Sequence, residues 1–73
     1  MREPMRRDDL VRTWFDTGAL GATILYGRVV AAGPRAFVVE WESGLRNRIR
    51  QGHPGITRVT GAEVTAVRAA CGW

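Results

Sequence analysis

Lysine is absent from this 73-residue chain; all 11 basic residues are arginine. Together with the abundance of alanine, glycine and valine, that bias matches a GC-rich coding sequence and does not itself specify arginine chemistry. Cysteine occurs once, at Cys71, and histidine once, at His53. A single thiol excludes an intramolecular disulfide and a thiolate metal cluster within one chain. A lone histidine has no second ligand at metal spacing. Both point to a reducing, cytoplasmic setting without a bound metal. Long apolar runs are also missing. The longest uncharged stretch, 17–27, is too short and too glycine-rich to span a bilayer. Residues 1–10 are charged with no apolar segment behind them, so neither a signal peptide nor a membrane partner is expected. Paired carboxylates, a nucleophile–base set and a glycine-rich phosphate loop are all lacking. In a chain too small for a deep pocket, this implies neither an enzyme nor a cofactor.

A chain of this length buries only about 60% of the surface that it exposes when unfolded. One modest core is therefore the limit, and stability is expected to be marginal. The most informative deficit is of acid. Residues 1–20 carry Arg2, Arg6, Arg7 and Arg12 against Glu3, Asp8, Asp9 and Asp16, which sums to zero. Residues 21–44 carry Arg28 and Arg35 against Glu40 and Glu42, and residues 59–73 carry Arg68 against Glu63; both again sum to zero. The whole formal charge of +4 thus sits in the acid-free segment 45–58, as Arg46, Arg48, Arg50 and Arg58, with His53 among them. Charge localised in this way is a candidate binding footprint.

The chain contains no internal repeat. Within 8–15, Leu10/Trp14 and Val11/Phe15 stand at i,i+4 spacing, Asp8 or Asp9 can cap, and Gly18 can terminate; the pattern predicts a short amphipathic helix. Residues 22–26 and 28–32 are β-prone, and Gly27 between them suggests a bulge or bend. Gly33-Pro34-Arg35 is a turn signal. Residues 36–41 alternate cleanly, with Phe37, Val39 and Trp41 on one face and Val38 and Glu40 on the other. A three-residue loop, Glu42-Ser43-Gly44, with Gly44 left-handed, would pair Trp41 with Leu45, Val39 with Asn47 and Phe37 with Ile49. That register gathers Phe37, Val39, Trp41, Leu45 and Ile49 inside and places Arg46, Arg48 and Arg50 outside, opposite Glu40 and Val38. Gly52-His53-Pro54-Gly55 breaks the strand before a short closing strand at 56–59. In the tail, Thr60 and Glu63 have capping-box spacing, Val64, Val67 and Cys71 have helical spacing, and Gly72 can cap the end, so a helix is favoured over a further strand.

Tyr26-Gly27-Arg28-Val29, followed by Phe37-Val-Val-Glu-Trp-Glu-Ser-Gly44 and a last short strand after a glycine-proline break, resembles the Src-homology-3-like small barrels, in particular Tudor and KOW modules. The likeness covers about residues 19–60, although Tyr26 and Gly27 are adjacent here where the Tudor pattern spaces them. In composition the chain is also similar to small actinobacterial and actinophage proteins. The resemblance implies a mainly β barrel of about five short strands over 19–60, and the residue patterns above add an N-terminal helical extension (1–18) and a C-terminal helix or tail (61–73). It also implies a binding module for nucleic acid, proline-rich peptides or methylated side chains, a range too wide to choose a ligand.

The residues narrow that choice. Alternate residues of a strand stand about 6.6 Å apart, close to the spacing of successive phosphates. Arg46, Arg48 and Arg50, with Arg58 from a neighbouring strand and His53 as a weaker contact, could therefore track a nucleic-acid backbone, duplex DNA foremost. A solvated sheet face part-neutralised by Glu40 is the plainer alternative. An acidic protein partner, met by an interaction module or a small phage-type assembly component, is the other. Tyr26, Phe37 and Trp41 could form a methylammonium cage, but the alternation makes Phe37 and Trp41 core. Trp14 and Phe15 are expected to staple the helix to the barrel, Asn47 to satisfy loop backbone groups, Cys71 to pack as a small apolar residue, and Trp73 to fray.

Overall fold

The computed structural model describes residues 3–16, 18 and 21–73, with the side chains of Phe15 and Asp16 outside the description. The chain forms β1 (Leu10–Asp16), β2 (Ala22–Ala32), β3 (Ala36–Trp41), β4 (Arg46–Arg50), β5 (Thr57–Arg58) and α1 (Ala62–Cys71). The five strands make one antiparallel sheet in the order β4-β3-β2-β1-β5. Val11, Val29, Phe37, Val39, Trp41 and Ile56 meet in a single buried cluster, with Met5, Leu25 and Ile49 against it. One cluster drawing on four successive strands and on the segment before the fifth requires the sheet to curl around it, an open arrangement consistent with a small barrel-like fold.

The expected N-terminal helix is not formed. Residues 10–16 are a central strand, paired with β2 from Leu10↔Arg28 to Asp16↔Ala22 and with β5 through Val11↔Arg58. Residues 10–16, within the expected extension 1–18, are thus integral to the sheet. The reason is that β1 opens with one buried residue on each face. Val11 enters the inner cluster while Leu10 turns outward to meet Val59 and Val67 beneath α1. Adjacent apolar residues directed to opposite faces leave the same short apolar run as a helical stripe. Nor does Asp9 cap a helix. Its Oδ2 accepts the Arg6 N–H at 2.8 Å, and Asp8 adopts φ +73° in the tight turn leading into β1. Trp14 staples nothing, being 69% exposed, and the Phe15 side chain lies outside the described residues.

The β3–β4 hairpin has the expected register. Glu40↔Arg46, Val39↔Asn47, Val38↔Arg48 and Phe37↔Ile49 are partners. Trp41 N–H donates to the Leu45 carbonyl at 2.8 Å, and Gly44 sits at φ +90°. Leu45 departs from expectation: beside the turn of the hairpin it is 69% exposed. Gly27 departs in a different way. β2 runs unbroken through it, and the irregularity falls between Val29 and Ala31. Gly27 is a packing requirement, because a Cβ there would lie 2.7 Å from Trp41 Cε3 and closer still to Val39 Cγ1.

Helix α1 covers the outer side of β1 and β2. Val67 is buried with Leu10 and Val59, and Tyr26, Val64, Cys71 and Trp73 pack against them. Its C-terminus closes on Gly72 in the left-handed conformation. The Thr60–Glu63 capping box is not made; Gly61 is the N-cap and no side chain caps the helix. Glu63 instead receives Arg12 Nη1 at 2.6 Å and the Tyr26 hydroxyl at 3.1 Å, tying the helix to β1 and β2. That hydrogen bond, then burial, raises the Tyr26 pKa, and burial raises that of Cys71. Trp73 is not frayed. Its N–H donates to the Arg68 carbonyl at 3.0 Å, and its ring packs under the Arg28 guanidinium, 5.9 Å from the centroid.

Replacing Gly27 by alanine forces Val39, Trp41 or the β2 backbone to move, and overpacking of this kind costs about 1–3 kcal/mol. Urea denaturation of Gly27→Ala should show the loss with an unchanged m-value; a variant as stable as the parent would mean that Trp41 does not pack on this backbone.

Candidate nucleic-acid interface

Because β3 pairs with β4 in the register above, Arg46, Arg48 and Arg50 lie on the outer face, opposite Glu40, Val38 and Ala36. All three arginines are exposed. Arg46 is the most engaged, donating from Nε and Nη2 to Glu40 Oε2, each at 2.8 Å. With its side chain 64% exposed, that pair stabilises by well under about 1 kcal/mol but does neutralise one charge of the row. Arg48 and Arg50 make no ion pair among the described residues. Helix α1 shields the outer side of β1 and β2; none of its residues packs against the inner-face cluster, and the arginine side of β3 and β4 stays exposed.

Arg58 does not join this row. β5 pairs with β1, at the opposite edge of the sheet from β4. Its guanidinium is committed to the N-terminal segment: Nη1 reaches Glu3 Oε2 at 3.2 Å, and Nη2 reaches Asp9 Oδ2 at 3.0 Å and the Pro4 carbonyl at 2.7 Å. His53 is a turn residue. Its Nδ1 accepts the Gly55 N–H at 3.0 Å, within two turns closed by Arg50 and His53 carbonyls. Asn47 is exposed and serves no loop backbone; its Oδ1 accepts the Trp41 indole N–H at 2.8 Å, giving the buried ring its polar partner. The imagined aromatic cage is not assembled. Phe37 and Trp41 lie in the inner cluster, whereas Tyr26 belongs to the outer one.

Two residues extend the site beyond the acid-free segment. Arg28 is the cross-strand partner of Glu40 and so stands in the same row as Arg46. Arg35 is exposed, and its carbonyl accepts the Gln51 N–H at 2.8 Å beyond the Ala36↔Arg50 pair. Neither stood out from charge alone, because Glu40 and Glu42 balance them within residues 21–44; only strand pairing brings them beside the β4 row. Gln51 was missed as well. Its Oε1 accepts Met5 N–H at 2.8 Å, while its Nε2 donates to the Met5 and Gly33 carbonyls at 3.0 Å each. No residue-type signal marks a glutamine that acts as a length of strand.

The sheet and its flanking helix define a small, mainly β protein. Among the described residues no helix is long and apolar enough to cross a membrane. No protein-family model, curated protein or solved structure matches the chain.

Arg58→Ala should release the segment 3–9. Losing hydrogen bonds to charged partners costs about 1.5–3 kcal/mol, and the backbone amide of Met5 should lose protection in hydrogen exchange. Unchanged protection would place the anchoring of that segment on Gln51 and on the Asp8 and Asp9 bonds to Val29.

Proposed function

We propose that this chain is a non-catalytic binding module that holds nucleic acid, duplex DNA foremost, through its backbone phosphates. The observation that carries the reading is the position of Arg48 and Arg50. They stand exposed and without an ion pair on the face that α1 leaves open, two residues apart on one strand. Guanidinium forks onto phosphate oxygens, and strand spacing approximates phosphate spacing. Arg46 contributes less, because Glu40 competes for it. Arg58 and His53 are given structural roles in this reading. The fold is read as a Src-homology-3-like barrel of the Tudor–KOW kind. The return of β5 to the side of β1, and a long β2 shared by β1 and β3, support that assignment. A free thiol at Cys71 suits a cytoplasmic setting.

One observation favours a second reading. β4 is an edge strand, and its hydrogen bonds to the β3 side pass through Leu45 and Gln51. By alternation, the backbone groups of Arg46 and Arg48 face away from β3. An acidic extended segment of a partner protein could pair there, with carboxylates beside the arginines.

Titration of random-sequence duplex DNA at several salt concentrations tests the first reading. The β4 row alone accounts for a log–log slope near −3. Arg48→Ala and Arg50→Ala should each lower its magnitude by about one, on all sequences alike. No measurable affinity at low salt removes nucleic acid as the partner.

A further inference from the structure

The arginines left unpaired on this molecule are not confined to β4. Arg6 and Arg7 are exposed and make no ion pair among the described residues. In sequence they are balanced by Asp8 and Asp9, but in the structure Asp9 is occupied by Arg58 and by the Arg6 backbone. Their place in the fold is set by Gln51, whose carboxamide bonds Met5 on one side and the Gly33 carbonyl on the other. That bridge holds Arg6 and Arg7 against the β2–β3 turn.

Two shallow hollows flank this turn. The first is lined by residues 31–38 together with Arg48, so Arg35 and Arg48 border it. The second is lined by residues 4–7 and 32–34, so Arg6 and Arg7 border it. Ala32, Gly33 and Pro34 are common to both, which makes the turn a ridge with arginines on either flank. Among the described residues no carboxylate lines either hollow. The ridge carries no side chain larger than the proline ring, and its Gly33 N–H to Ala36 carbonyl bond of 2.8 Å closes the turn.

Resting on the reading above, we infer that the site takes a duplex astride this ridge. Arg6 and Arg7 meet the phosphates of one strand; Arg35, Arg48 and Arg50 meet those of the other. A narrow, small-residue ridge suits a groove, and cationic flanks on both sides suit its two phosphate walls. A single strand fills one flank only. The charge that makes the site is therefore contributed from both ends of the sequence interval 6–50.

With five such contacts, the duplex slope in the salt titration should lie between about −4 and −5, measured by anisotropy of a labelled 20-base-pair duplex and of its isolated strand. Arg6→Ala/Arg7→Ala should lower the duplex slope by about two and leave the single-strand slope nearly unchanged; Arg6→Lys/Arg7→Lys should restore it. Arg68→Ala removes one charge from α1 and should change neither. A duplex slope near −3 that is insensitive to Arg6 and Arg7, yet lowered by Arg48→Ala, overturns the inference and leaves the β4 reading standing. Equal losses on duplex and single strand place all five arginines along one strand, which also overturns it. An effect of Arg68→Ala matching the others means general attraction by a basic protein. Absence of binding to either nucleic acid, with saturable binding of a polyglutamate peptide, removes both readings together.

Discussion

The packing of the Trp41 indole on the Cβ-free backbone of Gly27 is the contact on which the rest of the fold depends. The ring is 6% exposed, rests against a glycine where even a methyl group would collide, and has its single polar atom satisfied by Asn47. Trp41 is the last residue of β3, so fixing its face fixes the face of every residue in that strand. Asn47 extends the constraint to β4. With Trp41 inward, the pleat leaves Arg46, Arg48 and Arg50 no place but the outer side. Core packing and the direction of the candidate site are one event.

Curling the sheet around so small a core leaves an opening, and the N-terminal segment fills it. Met5 packs on the inner cluster, Asp8 N–H and the Asp9 carbonyl bond β2 at Val29, each at 2.9 Å, and residues 3–9 are held in the middle by Gln51 at Met5 and at both ends by Arg58 at Glu3 and Asp9. The segment thereby contributes apolar area that five short strands do not supply, which matters in a domain of this size. Its ion pairs also redistribute charge. Arg58 takes Glu3 and Asp9, and Arg12 takes Glu63. Of the acids beside Arg6 and Arg7, Asp9 is thereby taken up by Arg58.

The two halves of the sheet's outer face are accordingly assigned different work. Over β1 and β2, helix α1 buries Leu10 and Val59, and a small polar link of Arg12, Glu63 and Tyr26 ties it down. Over β3 and β4 the face stays open and arginine-rich. Trp73, stacked with Arg28, packs in the helix-covered cluster while its cationic neighbour shares the row of Glu40 and Arg46.

The sequence alone was sufficient for the elements in which one face is buried and the other wet. The alternation through 36–41, the Gly44 turn and the apolar spacing of Val64, Val67 and Cys71 each carry their period undisturbed, so β3, the β4 register and α1 were legible, as was the outward direction of three arginines. It misled where both faces are buried, since Leu10 and Val11 in a central strand leave the same short apolar run as a helix. It was silent on partners distant in the chain. That Arg58 is spent on Glu3, that Asn47 serves Trp41, that Gly27 is a space for a ring, and that Gln51 joins Met5 to Gly33 follow only from how the sheet closes. Periodicity reports the local surroundings of a residue, whereas contacts across dozens of positions exist only once the chain has folded back on itself.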